Sequence, residues 1–68
     1  MKKQEIGENA GAIWQFLDTN GEKSISEIEK ALSMKKNDVL IALGWSVRED
    51  KIFFVEDKNN TLVTLIYN

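Results

Sequence analysis

Cysteine, histidine and proline are absent from this chain, and glycine occurs only four times. Without cysteine there is no disulfide framework, no thiolate nucleophile and no Cys-based zinc site. Without histidine, the commonest metal ligand and the commonest general base are both missing. Redox chemistry therefore gives no guide to compartment. No apolar run approaches the roughly 20 residues that span a bilayer, and the basic start Met1-Lys2-Lys3-Gln4-Glu5 is not followed by an apolar segment. The expectation is a soluble, cytoplasmic protein with no membrane partner.

What is present is a chain of 68 residues, 43% hydrophobic and 29% charged, with 9 Lys and Arg against 11 Asp and Glu. A domain of this size buries only about 60% of the surface its unfolded chain exposes, so one core must use nearly every large apolar side chain. One domain over residues 1–68 is expected, with few side chains left to enclose an active site. Paired acids such as Glu49-Asp50 and Glu56-Asp57 are sequence neighbours and point apart on a helix or strand. No enzyme activity, cofactor, metal or small-molecule substrate is expected. The net charge of −2 gives no general attraction to nucleic acid.

Hydrophobic spacing sets the organisation. Ile6, Ala10, Ile13, Phe16 and Leu17 recur at helical intervals between about Gln4 and Asn20, and Asn20-Gly21 is a helix stop. Ser24-Ile25 is long enough only for a strand stub. Ser26-Glu27-Ile28-Glu29 reads as a capping box opening a second helix that runs to about Leu32. After the short turn Ser33-Met34-Lys35, Val39, Ala42, Leu43 and Val47 mark a third helix lasting to about Asp50. Two helices joined so tightly suggest a helix-turn-helix.

The last third changes period. Ile52–Glu56 and Thr61–Tyr67 are rich in β-branched and aromatic residues, and the stretch Asp57-Lys58-Asn59-Asn60 between them has turn composition. A hairpin with either a two-residue Asn59-Asn60 turn or a four-residue loop places Ile52, Phe54 and Glu56 on one face with Val63, Leu65 and Tyr67. Phe53, Val55, Leu62 and Ile66 then share the other face. A small sheet in a three-helix domain can be covered on one side only, so that second face is expected to present apolar side chains to water.

Helix, stub, helix, turn, helix, hairpin is the order of an α+β winged helix-turn-helix, three helices with a C-terminal β-hairpin wing closing a small antiparallel sheet. Asn9-Ala10-Gly11-Ala12-Ile13-Trp14, Ala42-Leu43-Gly44-Trp45 and Arg48-Glu49-Asp50-Lys51-Ile52 resemble a family of small bacterial and archaeal winged-helix proteins. The resemblance covers nearly the whole chain. It implies the fold and leaves the ligand open, and Ser46 stands where a winged helix usually carries a core leucine.

Two readings of the surface follow. In the first, the third helix and wing meet double-stranded DNA: Lys35, Lys36, Arg48 and Lys51 contact phosphates and Asn37 touches a base edge. Four lysines stand against two glutamates between Lys23 and Lys36, but Glu56, Asp57 and Lys58 make the wing turn net negative. In the second, Leu40, Ile41 and Trp45, with Phe53, Val55, Leu62 and Ile66 on the outer hairpin face, meet a protein partner or a second copy. Trp45 can equally pack against the wing. Gly7 and Gly11 beside Trp14 would let another element approach the first helix, or let Trp14 pack in the core over small residues.

The stretch from Asp18 to Glu29 imitates a calcium loop, with oxygen donors at loop positions one, three, five, nine and twelve. Lys23 falls at the sixth position, where such a loop needs glycine for its turn. A helix end followed by a capped helix accounts for the same residues without a metal.

Overall fold

The computed structural model describes residues 2–67. Helix α1 spans Lys3–Asn20, strand β1 Lys23–Ser24, helix α2 Ile25–Leu32 and helix α3 Lys36–Arg48; strands β2, Ile52–Asp57, and β3, Asn60–Leu65, complete it. The three antiparallel strands lie in the order β1-β3-β2. This is the winged-helix arrangement that the order of elements predicts.

Each helix end has a local cause. Gly21 takes φ 82°, and its N–H donates to the Leu17 carbonyl at 2.8 Å to close α1. The capping box lies two residues earlier than Ser26 and Glu29. Ser24 is the N-cap: its hydroxyl accepts from the Glu27 N–H at 3.1 Å, and its own N–H donates to Glu27 Oε1 at 2.9 Å. Pairing of Lys23 with Val63 and of Ser24 with Leu62 holds Ser24 in extended backbone, so the strand ends there and Ile25 is already helical. The stub is accordingly Lys23–Ser24 and not Ser24–Ile25. The Ser24 backbone N–H first, and the nearby Ser24 side chain second, hold the Glu27 carboxyl below its ordinary range, with Lys23 and Lys30 adding to the effect.

Ser33 ends α2 in the left-handed region at φ 53°, and the Met34 N–H reaches back to the Glu29 carbonyl at 3.0 Å. Helix α3 stops at Arg48, two residues short of Asp50, which itself has φ 56°. The Lys51 N–H then donates to the Ser46 carbonyl at 2.9 Å and leads the chain into β2.

The core joins Ile13 and Leu17 of α1, Ile28 of α2, Val39, Ala42 and Leu43 of α3, and Ile52, Val63 and Leu65 of the sheet. Val47 is not among them. It is 40% exposed, and Ser46 is the buried residue at that level of α3. Residues 39, 42, 43 and 46 form one helical stripe from which 47 is rotated by about 100°. Ser46 tolerates burial because its hydroxyl donates to the Ala42 carbonyl at 2.9 Å.

In the hairpin, Asp57 pairs with Asn60, so the two turn residues are Lys58 and Asn59, and Lys58 has φ 57°. The register is that of the four-residue loop. Ile52 opposes Leu65 and Phe54 opposes Val63 on the core side, while Val55 opposes Leu62 on the other. The inward face is covered only at its base, since Phe54 remains 45% exposed. Tyr67 lies beyond β3 and, instead of joining the core face, packs its ring edge-on to Trp14 with centroids 6.2 Å apart.

Candidate nucleic-acid interface

Helix α3 presents its outer face between two dissimilar clefts. Lys35, Lys36 and Asn37 are exposed at its start, followed by Leu40, Ile41 and Gly44, with Arg48 at its far end. Leu40 and Ile41 are 43% and 44% exposed, so the middle of this face is apolar. Lys36 and Arg48 are separated by about 18 Å along the axis at 1.5 Å per residue.

The first cleft lies between the start of α3, the start of α2 and the wing. Ser26, Glu29, Lys36, Asn59, Asn60 and Thr61 line it, within about 240 Å³ of open space. The wing tip therefore brings amides and a hydroxyl towards Lys36. One carboxylate of the acidic wing is also engaged, since Glu56 Oε1 accepts from the Thr61 hydroxyl at 2.9 Å. Residue spacing carries no sign of this meeting, because it depends on where the hairpin turn hangs over α2.

The second cleft is a groove of about 250 Å³ between α1 and the C-terminal half of α3. Gly7, Ala10, Gly11 and Trp14 contribute from α1, Trp45, Ser46 and Glu49 from α3, and Lys51 from the connection to β2. Lys51 thus faces a different cleft from Lys36. Trp45 packs toward α1 and not the wing, with the Lys3 ammonium 5.8 Å from its ring centroid. Trp14 is only half-buried, and a Cβ at Gly7 or Gly11 would meet no described atom within 4 Å. The glycines consequently serve no close packing inside the described fold.

The apolar surface proposed for a partner is divided. Leu40, Ile41 and Phe53 are exposed, whereas Trp45, Val55, Leu62 and Ile66 are half-buried. Val55 and Leu62 oppose each other across the strands and shield one another.

Residues 18–29 do not assemble a cation loop. Asp18 accepts from Tyr67, Glu22 accepts from the Thr64 hydroxyl and Glu27 caps α2. Among the described residues no group of three or more metal-ligating side chains converges, and no helix is long and apolar enough to cross a membrane.

Known proteins are similar to this one in sequence and in fold. An uncharacterized protein of Methanocaldococcus jannaschii, MJ1608, is 45% identical over 64 residues, which is 90% of each chain. The solution structure of protein BT2368 from Bacteroides thetaiotaomicron matches with a TM-score of 0.85 at 26% identity, covering 96% of this chain and 79% of that one. The Zalpha domain of Carassius auratus PKZ, solved in complex with Z-DNA, matches with a TM-score of 0.80 at 23% identity over 90% of this chain and 97% of that one; this likeness concerns the fold alone. Winged helices are in general modules of the DNA-binding type, and no enzymatic family is indicated. A family model described as a winged helix-turn-helix domain spans residues 1–65, and with that match added to the archaeal relative the chain belongs to the DUF2582 winged helix-turn-helix family.

Proposed function

We propose that this domain binds double-stranded nucleic acid through the N-terminal half of α3 and the wing tip, holding the backbone more than it reads bases. The observation that carries the reading is the cleft in which Lys36 lies with Asn59, Asn60, Thr61 and Ser26. The cation and the neutral hydrogen-bonding groups suit a phosphate oxygen, while Glu29, which lines the same cleft, opposes the anion and keeps binding weak. Lys35 adds a second phosphate contact, Arg48 a third about 18 Å farther along the helix, and Asn37 the one base-edge contact. Leu40 and Ile41 offer no hydrogen bond to a base. Gly44, where a Cβ would meet no described atom within 4 Å, lets a sugar-phosphate strand come close. Lys51 contributes only at longer range from its place on the other groove. The Z-DNA ligand of the Carassius auratus neighbour supports a duplex as the class of ligand and shape as what is read.

The test is an anisotropy titration at low salt with two labelled probes, a mixed-sequence duplex and an alternating dC-dG duplex held in the Z form. Binding is expected to be weak, salt-dependent and markedly weaker in a Lys35→Ala, Lys36→Ala variant. No change with either probe at the lowest salt overturns the proposal.

A further inference from the structure

The groove between α1 and α3 carries an inference independent of the nucleic-acid reading. Its floor is made by Gly7, Ala10 and Gly11 and its walls by the half-buried indoles of Trp14 and Trp45. Glycine inside a helix disfavours it relative to alanine, and such residues are ordinarily explained by close packing or by an unusual backbone. Neither applies at Gly7 or Gly11, where only Gly21 among the glycines has a positive φ and a Cβ would meet open space. The trough is space that nothing described in the monomer fills.

The chain itself fits that space. Lys3, Gly7, Gly11, Trp14 and Asp18 follow one another at intervals of three or four residues and so share one face of α1. That stripe begins with a cation and ends with an anion. When a second α1 is laid antiparallel across it, one register sets Lys3 against Asp18 of the partner subunit, Gly7 against Trp14 of the partner subunit, and Ala10 against Gly11 of the partner subunit. The two-fold axis repeats each contact, so large meets small twice and positive meets negative twice. Such self-complementarity is what an isologous interface requires. Asp18 retains an oxygen for this pairing, since only Oδ1 accepts from Tyr67.

We infer that the α1–α3 groove is the interface of a two-fold dimer in which antiparallel α1 helices cross and each Trp14 covers the trough over Gly7 of the partner subunit. One helix face and a short groove fall below the surface of a standard stable complex, so the dimer is a weak and concentration-dependent one. The outer face of α3 stays free in it.

Sedimentation equilibrium of the full chain up to about 1 mM tests the inference. Wild type is expected to show monomer and dimer. Gly7→Leu is expected to keep or raise the melting temperature, because leucine favours helix and lies over the trough, while weakening the dimer at least tenfold. Lys3→Asp and Asp18→Lys alone are each expected to be monomeric, since each places like charges opposite one another. An equimolar mixture of the two restores both ion pairs and is expected to dimerise. Circular dichroism verifies that every variant is folded. A wild type that is monomeric throughout, a mixture no tighter than its components, or a dimer abolished by Ile41→Ser but unchanged in Gly7→Leu overturns it.

Discussion

The Tyr67 hydroxyl donates a hydrogen bond to Asp18 Oδ1 at 2.8 Å, joining the last described residue to the final turn of α1 across 49 positions of sequence. The bond raises the Tyr67 phenol above its ordinary range, because ionisation would remove the donor and set two anions together. A group raised on folding stabilises fully below its unfolded value, and that stability is lost as pH rises through the folded value. Unfolding by denaturant across the alkaline range is therefore expected to show a falling limb in wild type and a flatter one in Tyr67→Phe. Tyr67 is the only tyrosine, so tyrosinate absorbance reports its titration directly.

Acid acts through the other end of the sheet. Glu27, lowered by its hydrogen bonds to Ser24, stabilises above its unfolded value, and that contribution disappears as pH falls through the folded one. Glu27→Gln is expected to flatten the acid limb of the same titration. Ser24→Ala removes the N-cap and is expected to cost about 1 kcal/mol, a melting decrease of roughly 4–8 °C for a domain of this length. Ser26→Ala, one residue inside α2, is expected to leave the melting temperature nearly unchanged.

Burial separates two leucines three residues apart. Leu43→Ala removes a side chain that is 1% exposed and is expected to cost about 2–5 kcal/mol. A domain of this size holds only about 3–10 kcal/mol in total, so much of the variant is expected to be unfolded at room temperature by circular dichroism. Leu40→Ala, at a position 43% exposed, is expected to stay within about 0.5 kcal/mol of wild type.

Salt dependence resolves the lysines. Withdrawing one cation from a phosphate reduces the slope of log K against log salt by about 1. Lys35→Ala with Lys36→Ala is therefore expected to reduce the slope by about 2, whereas Lys51→Ala is expected to leave it nearly unchanged. Anisotropy titrations at several salt concentrations measure both.

Much of the fold is legible in spacing alone. The stripe of Ile13 and Leu17 and that of Val39, Ala42 and Leu43 mark buried helix faces, and alternation sorts the hairpin residues between two faces whatever the turn. The start of α2 is not, for a physical reason: Ser24-Ile25-Ser26-Glu27-Ile28-Glu29 contains two overlapping capping boxes. Pairing of Ser24 with Leu62, 38 residues away, selects between them. Ser46 and Val47 exchange expected roles because a serine that bonds its own helix can be buried without a partner from elsewhere. For the candidate site, composition identifies the basic start of α3, but the convergence of Lys36 with the wing amides and the turn of Trp45 toward α1 are products of tertiary packing.

Ser33, Asp50 and Lys58 adopt left-handed backbone at the ends of α2 and α3 and in the wing turn, each at a penalty of roughly 1 kcal/mol that glycine would not incur. Gly7, Gly11 and Gly44 meanwhile occupy right-handed helix, where alanine would serve the backbone better. Gly21 apart, which does serve a positive φ, the chain has its most permissive residue where local geometry does not ask for it and lacks it at three positions where geometry does. A sequence selected for monomer stability alone would reverse that distribution, which leaves this small domain with appreciable room to be made hardier by redistribution of glycine without enlarging its core.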